Sequence, residues 1–272
     1  MLKITRKIAK RKRNKLKVVG LVLLLAALLT GSFYAWRYWS GAEERQLARE
    51  VAALPSPEGL QISSTAGEQS PEKESPAAEE SAVSIPETVN YDVPFTPQAP
   101  HANWDYTHEE ACEEAAILMA KRFFFGQEIS GPDDAEEGIQ DIIFWEKEHL
   151  GFFESTTAEE SARVIREMFG LKTEIILNPS VEQIKRALAE GRLVIVPCAG
   201  RQIGNPFYKS PGPLYHFLLL KGYTKEQFIT NDAGTRRGAN YPYKFKTVLE
   251  ANHDWNGGQV DSGEKKIILV SK

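Results

Sequence analysis

Three residues of the 272-residue chain have types and positions that could carry acyl transfer: Cys112, His216 and Asp232. A cysteine attacks as its thiolate, so it needs an imidazole to take the proton and a third group to hold that imidazole. Thr107 and Glu110 stand at the S/T-x-x-E spacing of a capping box, which predicts a helix from His108 with Cys112 in its second turn. Ala115, Ala116, Met119 and Phe123 follow at i+3, i+4, i+7 and i+11, so Cys112 belongs to the core-facing stripe near the positive end of the helix. By position alone this is also the ordinary place of a buried structural cysteine. Glu109, Glu110, Glu113 and Glu114 surround it in sequence and oppose a thiolate. A helix-dipole contribution of about 0.3–1 kcal/mol is under one pKa unit and does not overcome several carboxylates. The nucleophile reading therefore requires an imidazolium from elsewhere in the fold.

Of five histidines, His216 is distinctive because it stands in the apolar run Leu214–Leu220, a predicted central strand. Alternation places it on one face with Leu218 and Leu220. A second strand, Gln227–Asn231, follows a predicted turn at Gly222–Glu226. Pairing Lys221 with Gln227 sets His216 directly opposite Asp232, where the carboxylate could fix the imidazole tautomer. A loop one residue shorter would oppose Ala233 instead. Asn231 points the other way in this register and is the second candidate for the orienting residue. Each residue also has a plain reading, His216 as a satisfied core histidine and Asp232 in Asn231-Asp232-Ala233-Gly234 as a turn former.

Other candidates are weaker in pattern. His108-Glu109-Glu110-Ala111-Cys112 has i,i+4 ligand spacing with a Glu beside the first ligand, as zinc hydrolases do, but a cysteine replaces the second histidine and no third ligand is evident. Cys198 ends the strand Leu193–Pro197 and reads as a small buried hydrophobe, with a disulfide to Cys112 as the alternative. The loop Ala199–Pro213, with Phe207 and Tyr208, leads into His216 and is expected to wall the cleft. Trp104 and Trp255 are candidate cleft aromatics or core residues.

The elements that must position these residues are legible in periodicity. Helical spacing appears at 108–125, 134–149, 158–169 and 181–190. Strand-like runs appear at Thr173–Leu177, Leu193–Pro197, Tyr215–Lys221, Gln227–Asn231, Tyr241–Phe245 and Lys266–Val270. Helices first and strands later indicate an α+β domain, a helical half packed on an antiparallel sheet.

With these residues in view, the stretch 91–272 resembles the C39-like peptidases, a branch of the papain-like cysteine hydrolases related to bacteriocin leader-processing peptidases. Asp92-Val93-Pro94-Phe95-Thr96-Pro97-Gln98 is similar to the strand leading to that family's oxyanion-hole Gln. Glu110-Ala111-Cys112-Glu113-Glu114-Ala115 is similar to its nucleophile helix. Tyr215-His216-Phe217-Leu218-Leu219-Leu220-Lys221-Gly222-Tyr223 resembles its His strand, and Ile229-Thr230-Asn231-Asp232-Ala233-Gly234-Thr235 the segment with the triad Asp. The resemblance implies a papain-like fold, a Cys112–His216–Asp232 triad and Gln98 as oxyanion donor with the Cys112 backbone N–H. It implies a peptide or protein substrate and no cofactor or metal. The same triad serves acyl transfer by a transamidase or transpeptidase, and papain-like folds also serve as non-catalytic binding modules.

The remainder of the chain bears on location. Nine of the 33 Lys and Arg fall in residues 1–17, which hold no acid, leaving 24 bases against 37 acids in the other 255 residues. A basic head on an acidic body speaks against a nucleic-acid partner, which would need positive charge on the folded domain. Residues 18–39 are almost wholly apolar until Arg37 and, as a helix of roughly 33 Å, match the hydrocarbon thickness of a bilayer. Phe33, Tyr34, Trp36, Arg37, Tyr38 and Trp39 are interface residues and favour one uncleaved transmembrane anchor. Ser40-Gly41-Ala42 leaves a cleaved signal peptide as the alternative. The basic flank predicts a cytoplasmic N-terminus and an extracytoplasmic C-terminal domain. The linker 40–90, acidic and rich in Pro, Ser, Glu and Ala with no aromatic residue, is expected to be a flexible, disordered stalk.

Overall fold

A computed structural model describes residues 85–272. The basic segment 1–17, the apolar segment 18–39 and residues 40–84 of the linker lie outside the described residues. Among the described residues no helix is long and apolar enough to cross a membrane.

The predicted helices form close to their expected limits, with one change at the site. The first splits into α1, Tyr106–Glu109, and α2, Cys112–Phe124. Asp105, rather than Thr107, caps α1 by accepting from the His108 backbone N–H, and the break at Glu110-Ala111 makes Cys112 the first residue of α2. The remaining long helices are α3, Pro132–His149, α4, Ala158–Phe169, and α5, Val181–Ala189. Pro132 opens α3, where its missing N–H costs nothing. Thr157 with Glu160 and Ser180 with Gln183 form complete capping boxes on α4 and α5. Two short helices go unread by periodicity, α6 at Gly200–Ile203 and α7 at Phe245–Ala251.

One antiparallel sheet contains β1, Val89–Asn90; β2, Lys172–Leu177; β3, Leu193–Ala199; β4, Tyr215–Tyr223; β5, Gln227–Asp232; β6, Tyr241–Lys244; and β7, Lys266–Ser271. The order is β2-β7-β3-β4-β5-β6, with β1 paired to the end of β4. β3 and β4 are buried along their whole length, as central strands covered on both faces must be. Helix α2 packs against β4, α3 and α4, and every residue from Cys112 to Ala120 is buried, Glu113 and Glu114 included. The architecture is α+β, with helices beside an antiparallel sheet.

The β4–β5 register differs from the predicted one. Thr224 N–H bonds the Gln227 carbonyl at 2.8 Å, so Lys225-Glu226 makes a tight turn, and Tyr223 opposes Phe228 and Gly222 opposes Ile229. Carried on unbroken, this register would oppose Leu219 to Asp232 and turn the carboxylate away from His216. A β-bulge between Leu220 and Gly222 shifts the pairing by one residue and opposes Leu218 to Asp232. Asp232 thus shares a face with His216, two residues along β4 rather than directly across. The extra residue is Lys221, whose buried Nζ donates to Asn90 Oδ1 at 2.6 Å and Asn240 Oδ1 at 2.7 Å.

The same bulge brings β1 against Gly222. A methyl group there would lie 2.1 Å from the Val89 carbonyl oxygen. Gly222→Ala is expected to destabilise the fold by about 1–3 kcal/mol through overpacking. Urea denaturation, with hydrogen exchange at Tyr91, whose N–H bonds the Lys221 carbonyl at 3.0 Å, checks both the loss and its location.

Candidate active site

The nucleophile candidate stands at the N-terminus of α2, where backbone N–H groups are unpaired by the helix itself. Cys112 is 4% exposed. Its Sγ lies 2.8 Å from Glu113 Oε2, and the backbone N–H of Phe217, the residue after His216, donates to the sulfur. Burial pushes the thiol well above its ordinary range; the Glu113 and Glu114 carboxylates push the same way, and only the Phe217 N–H opposes them.

His216, on β4, points its Nε2 at Asp232 Oδ1, 2.8 Å away. Asp232 is fully buried and saturated with donors. Oδ1 also accepts from Gly234 N–H at 3.0 Å, and Oδ2 accepts from Asn205 Nδ2 at 2.9 Å, the Tyr208 hydroxyl at 2.8 Å and the Tyr243 hydroxyl at 2.6 Å. Burial alone would raise this carboxyl. The His216 charge and these hydrogen bonds outweigh it and hold Asp232 below the usual carboxylate range, ionised at neutral pH. Tyr208 also sets its ring edge-on to His216, with centroids 5.4 Å apart. A side chain on Gly234 would meet both rings, its Cβ 2.8 Å from Tyr208 Cε1 and 2.9 Å from His216 Cε1.

The sequence reading missed Asn205 and Tyr243 and saw Tyr208 only as part of a cleft loop. Asn205 and Tyr208 arrive from the segment after α6 and Tyr243 from β6, so no local spacing announces them. The loop Ala199–Pro213 does reach the His–Asp pair, through these two side chains.

The other predicted residues fall as follows. Gln98 is buried beside the α1–α2 junction, its Nε2 donating to the His108 and Glu109 carbonyls at 2.8 and 3.1 Å, with Oε1 buried and unpaired. Asn231 faces away from His216 and ties the opening segment down, donating to the Val93 and Pro94 carbonyls. Cys198 opposes His216 across β3–β4, fully buried, and both cysteines are free thiols. His108 binds Asp105 Oδ1 through Nδ1 at 2.7 Å and Glu136 Oε2 through Nε2 at 2.9 Å. With both ring nitrogens engaged, the His108–Cys112 spacing offers no free imidazole for zinc. Trp104 is exposed, whereas Trp255 packs on Tyr215 at 5.4 Å.

Between the two halves one link is open: among the described residues Cys112 and His216 share no hydrogen bond, and the sulfur's side-chain partner is Glu113.

No protein-family model and no curated protein matches the chain. Among solved structures, a Bacillus anthracis protein described as a candidate C39-like peptidase is similar in fold. The TM-score is 0.46 at 12% identity, over 69% of this chain and 98% of that one. That likeness is one of fold.

Chemically, the arrangement supplies a buried carboxylate fixing an imidazole, and a thiol at a helix N-terminus that accepts from the backbone N–H of the next residue along β4, Phe217. With Asp232 on Nε2, the tautomer with the proton on Nε2 is favoured, which leaves Nδ1 as the proton acceptor.

Proposed function

We propose that the chain is a membrane-anchored, extracytoplasmic cysteine peptidase of the C39-like type. The observation that carries this reading is the His216–Asp232 pair, held by a donor-saturated carboxylate next to the strand position that touches the Cys112 sulfur. The apolar segment 18–39 carries the anchoring, and the acidic linker extends the domain from the membrane.

In the proposed cycle the Cys112 proton passes to His216 Nδ1 while Asp232 stabilises the imidazolium. The thiolate attacks a peptide carbonyl, and the oxyanion receives the Cys112 backbone N–H. Gln98 Nε2 completes that hole by releasing one of the two carbonyls it holds. His216 then protonates the leaving amine, and water, activated by the same imidazole, hydrolyses the thioester. A non-catalytic envelope-binding module is the second reading, favoured by the closed Cys112–Glu113 contact.

A panel of peptidyl chloromethyl ketones tests the first reading on the full chain. The expected result is one covalent adduct, mapped to Cys112 and absent from Cys198, with cleavage of the matching peptides. Equal labelling of both thiols, or none, together with no cleavage would leave the binding module as the function.

A further inference from the structure

Helices α2 and α3 carry three acids into the protein interior. Glu113 and Glu114 follow Cys112 directly, and Glu146 meets them from α3; all three are 0–1% exposed. Burying an unpaired carboxylate is costly, so such groups carry a reason in packing, proton sharing or function. Glu114 and Glu146 face each other, their four oxygens meeting no donor among the described residues, so the pair must keep a proton between its carboxyls. Glu113 is different. Its Oε2 is 2.8 Å from the Cys112 sulfur, and its Oε1 is buried with no hydrogen-bond partner. The groups facing it from the surrounding elements are Glu110 before α2, Cys112 and Glu114 on α2, Glu146 on α3 and Tyr215 on β4, whose hydroxyl is bound by Asp254. Tyr208, Asn205 and Tyr243 all serve Asp232, whereas Glu113 is the side chain that meets the Cys112 sulfur directly, beside the Phe217 N–H.

We infer that Glu113 sets the resting state of the nucleophile, accepting the Cys112 S–H and holding the sulfur from His216, so that Cys112 must exchange Glu113 for the imidazole before it attacks. This rests on the triad reading above and adds the residue that governs it. The exchange moves one proton from Sγ to His216 Nδ1 and leaves Glu113 as it was. Burial of Cys112, with Glu113 and Glu114 beside it, disfavours the thiolate while the contact lasts. The resting protein is therefore a neutral thiol held by a carboxyl group, not a thiolate–imidazolium pair.

The test is the pH dependence of Cys112 alkylation by iodoacetamide in the full chain, quantified by mass spectrometry from about pH 6 to about pH 10. In Glu113→Gln the pH of half-maximal reactivity is expected to fall by at least about one unit, which is about tenfold in thiolate at a fixed pH below the midpoint. Glu114→Gln, which changes the field without touching the sulfur, is expected to shift it less. An unchanged or raised midpoint in Glu113→Gln overturns the inference, the latter by making Glu113 a base for the thiol. So does an equal shift in Glu114→Gln, which would assign the effect to the field alone. Glu113→Met removes the acceptor with an apolar side chain of similar length and gives the same reading if the amide fails to fold. The triad is judged separately by His216→Ala: unchanged chloromethyl ketone labelling of Cys112 there would remove the triad, whatever Glu113→Gln shows.

Discussion

Replacing Asp232 with asparagine is expected to lower peptide hydrolysis by about 10³–10⁴-fold and to cost about 2–4 kcal/mol of stability. The two carboxylate oxygens accept five hydrogen bonds, three on Oδ2 and two on Oδ1. An amide has one oxygen. If it takes the Oδ2 position, its NH2 group faces His216 Nε2 and the Gly234 N–H. His216 must then accept at Nε2 and carry its proton on Nδ1, the atom required to receive the Cys112 proton. If the amide is reversed, its NH2 group faces the Asn205 amide, a side-chain donor that cannot turn into an acceptor without giving up the bond its oxygen accepts from the Phe207 N–H. Either way a buried donor is left opposed.

The pH dependence of this loss has a definite sign. Asp232 has a depressed pKa in the fold, so its contribution is fully present above the unfolded carboxyl value, about 3.9, and fades as pH falls through the lower folded value. Denaturant titration of the two proteins should show a gap that is constant at neutral pH and closes in strong acid. A gap independent of pH would mean that Asp232 is not held as a carboxylate.

The second large effect belongs to Glu146. Burial pushes its carboxyl up to about 8, the hydrogen bond with Glu114 works against that rise, and Glu113, Glu160 and Glu154 reinforce it. The unfolded chain releases this proton near about pH 4.3, whereas the folded chain keeps it to about 8. Between those values the folded state binds more protons, so stability falls as pH rises, by about 5 kcal/mol in all. Lys221, lowered to about 8 by burial, acts with the opposite sign, but only above pH 8, where the folded amine is neutral and the unfolded one still charged.

Glu146→Gln removes one titrating partner and offers Glu114 an amide donor. The variant is expected to match wild type near about pH 4 and to exceed it by about 3 kcal/mol near pH 8. Urea denaturation at stepped pH measures both. A wild-type curve flat from about pH 5 to about pH 8 would show that the three glutamates reach water.

The sequence by itself determined the elements and their order. Four long helices and six strands came from periodicity, because an amphipathic pattern over ten or more residues is set by which face meets a core. It also determined that His216 occupies a central strand and that a carboxylate ends the next one. The tertiary structure decided whether these meet. The turn at Lys225-Glu226 alone would have put Asp232 on the wrong face, and the bulge at Lys221 restored it. Bulges answer to contacts far along the chain, here Asn90 and Asn240 on the Lys221 amine, so local spacing carries no sign of them. The start of α2 was decided by the break at Glu110-Ala111, which ends the short helix capped by Asp105 and lets another begin at Cys112 itself. Above all, the fold decided what the glutamates do. In sequence, Glu109, Glu110, Glu113 and Glu114 are four equivalent charges around a thiol. Glu109 stays at the surface on α1, while packing of α2 against β4 and α3 drives Glu113 and Glu114 inward, because a helix enclosed on all sides has no solvent face. The immediate side-chain partner of the Cys112 sulfur is thus a buried acid, a fact of packing that no pattern of residue types contains.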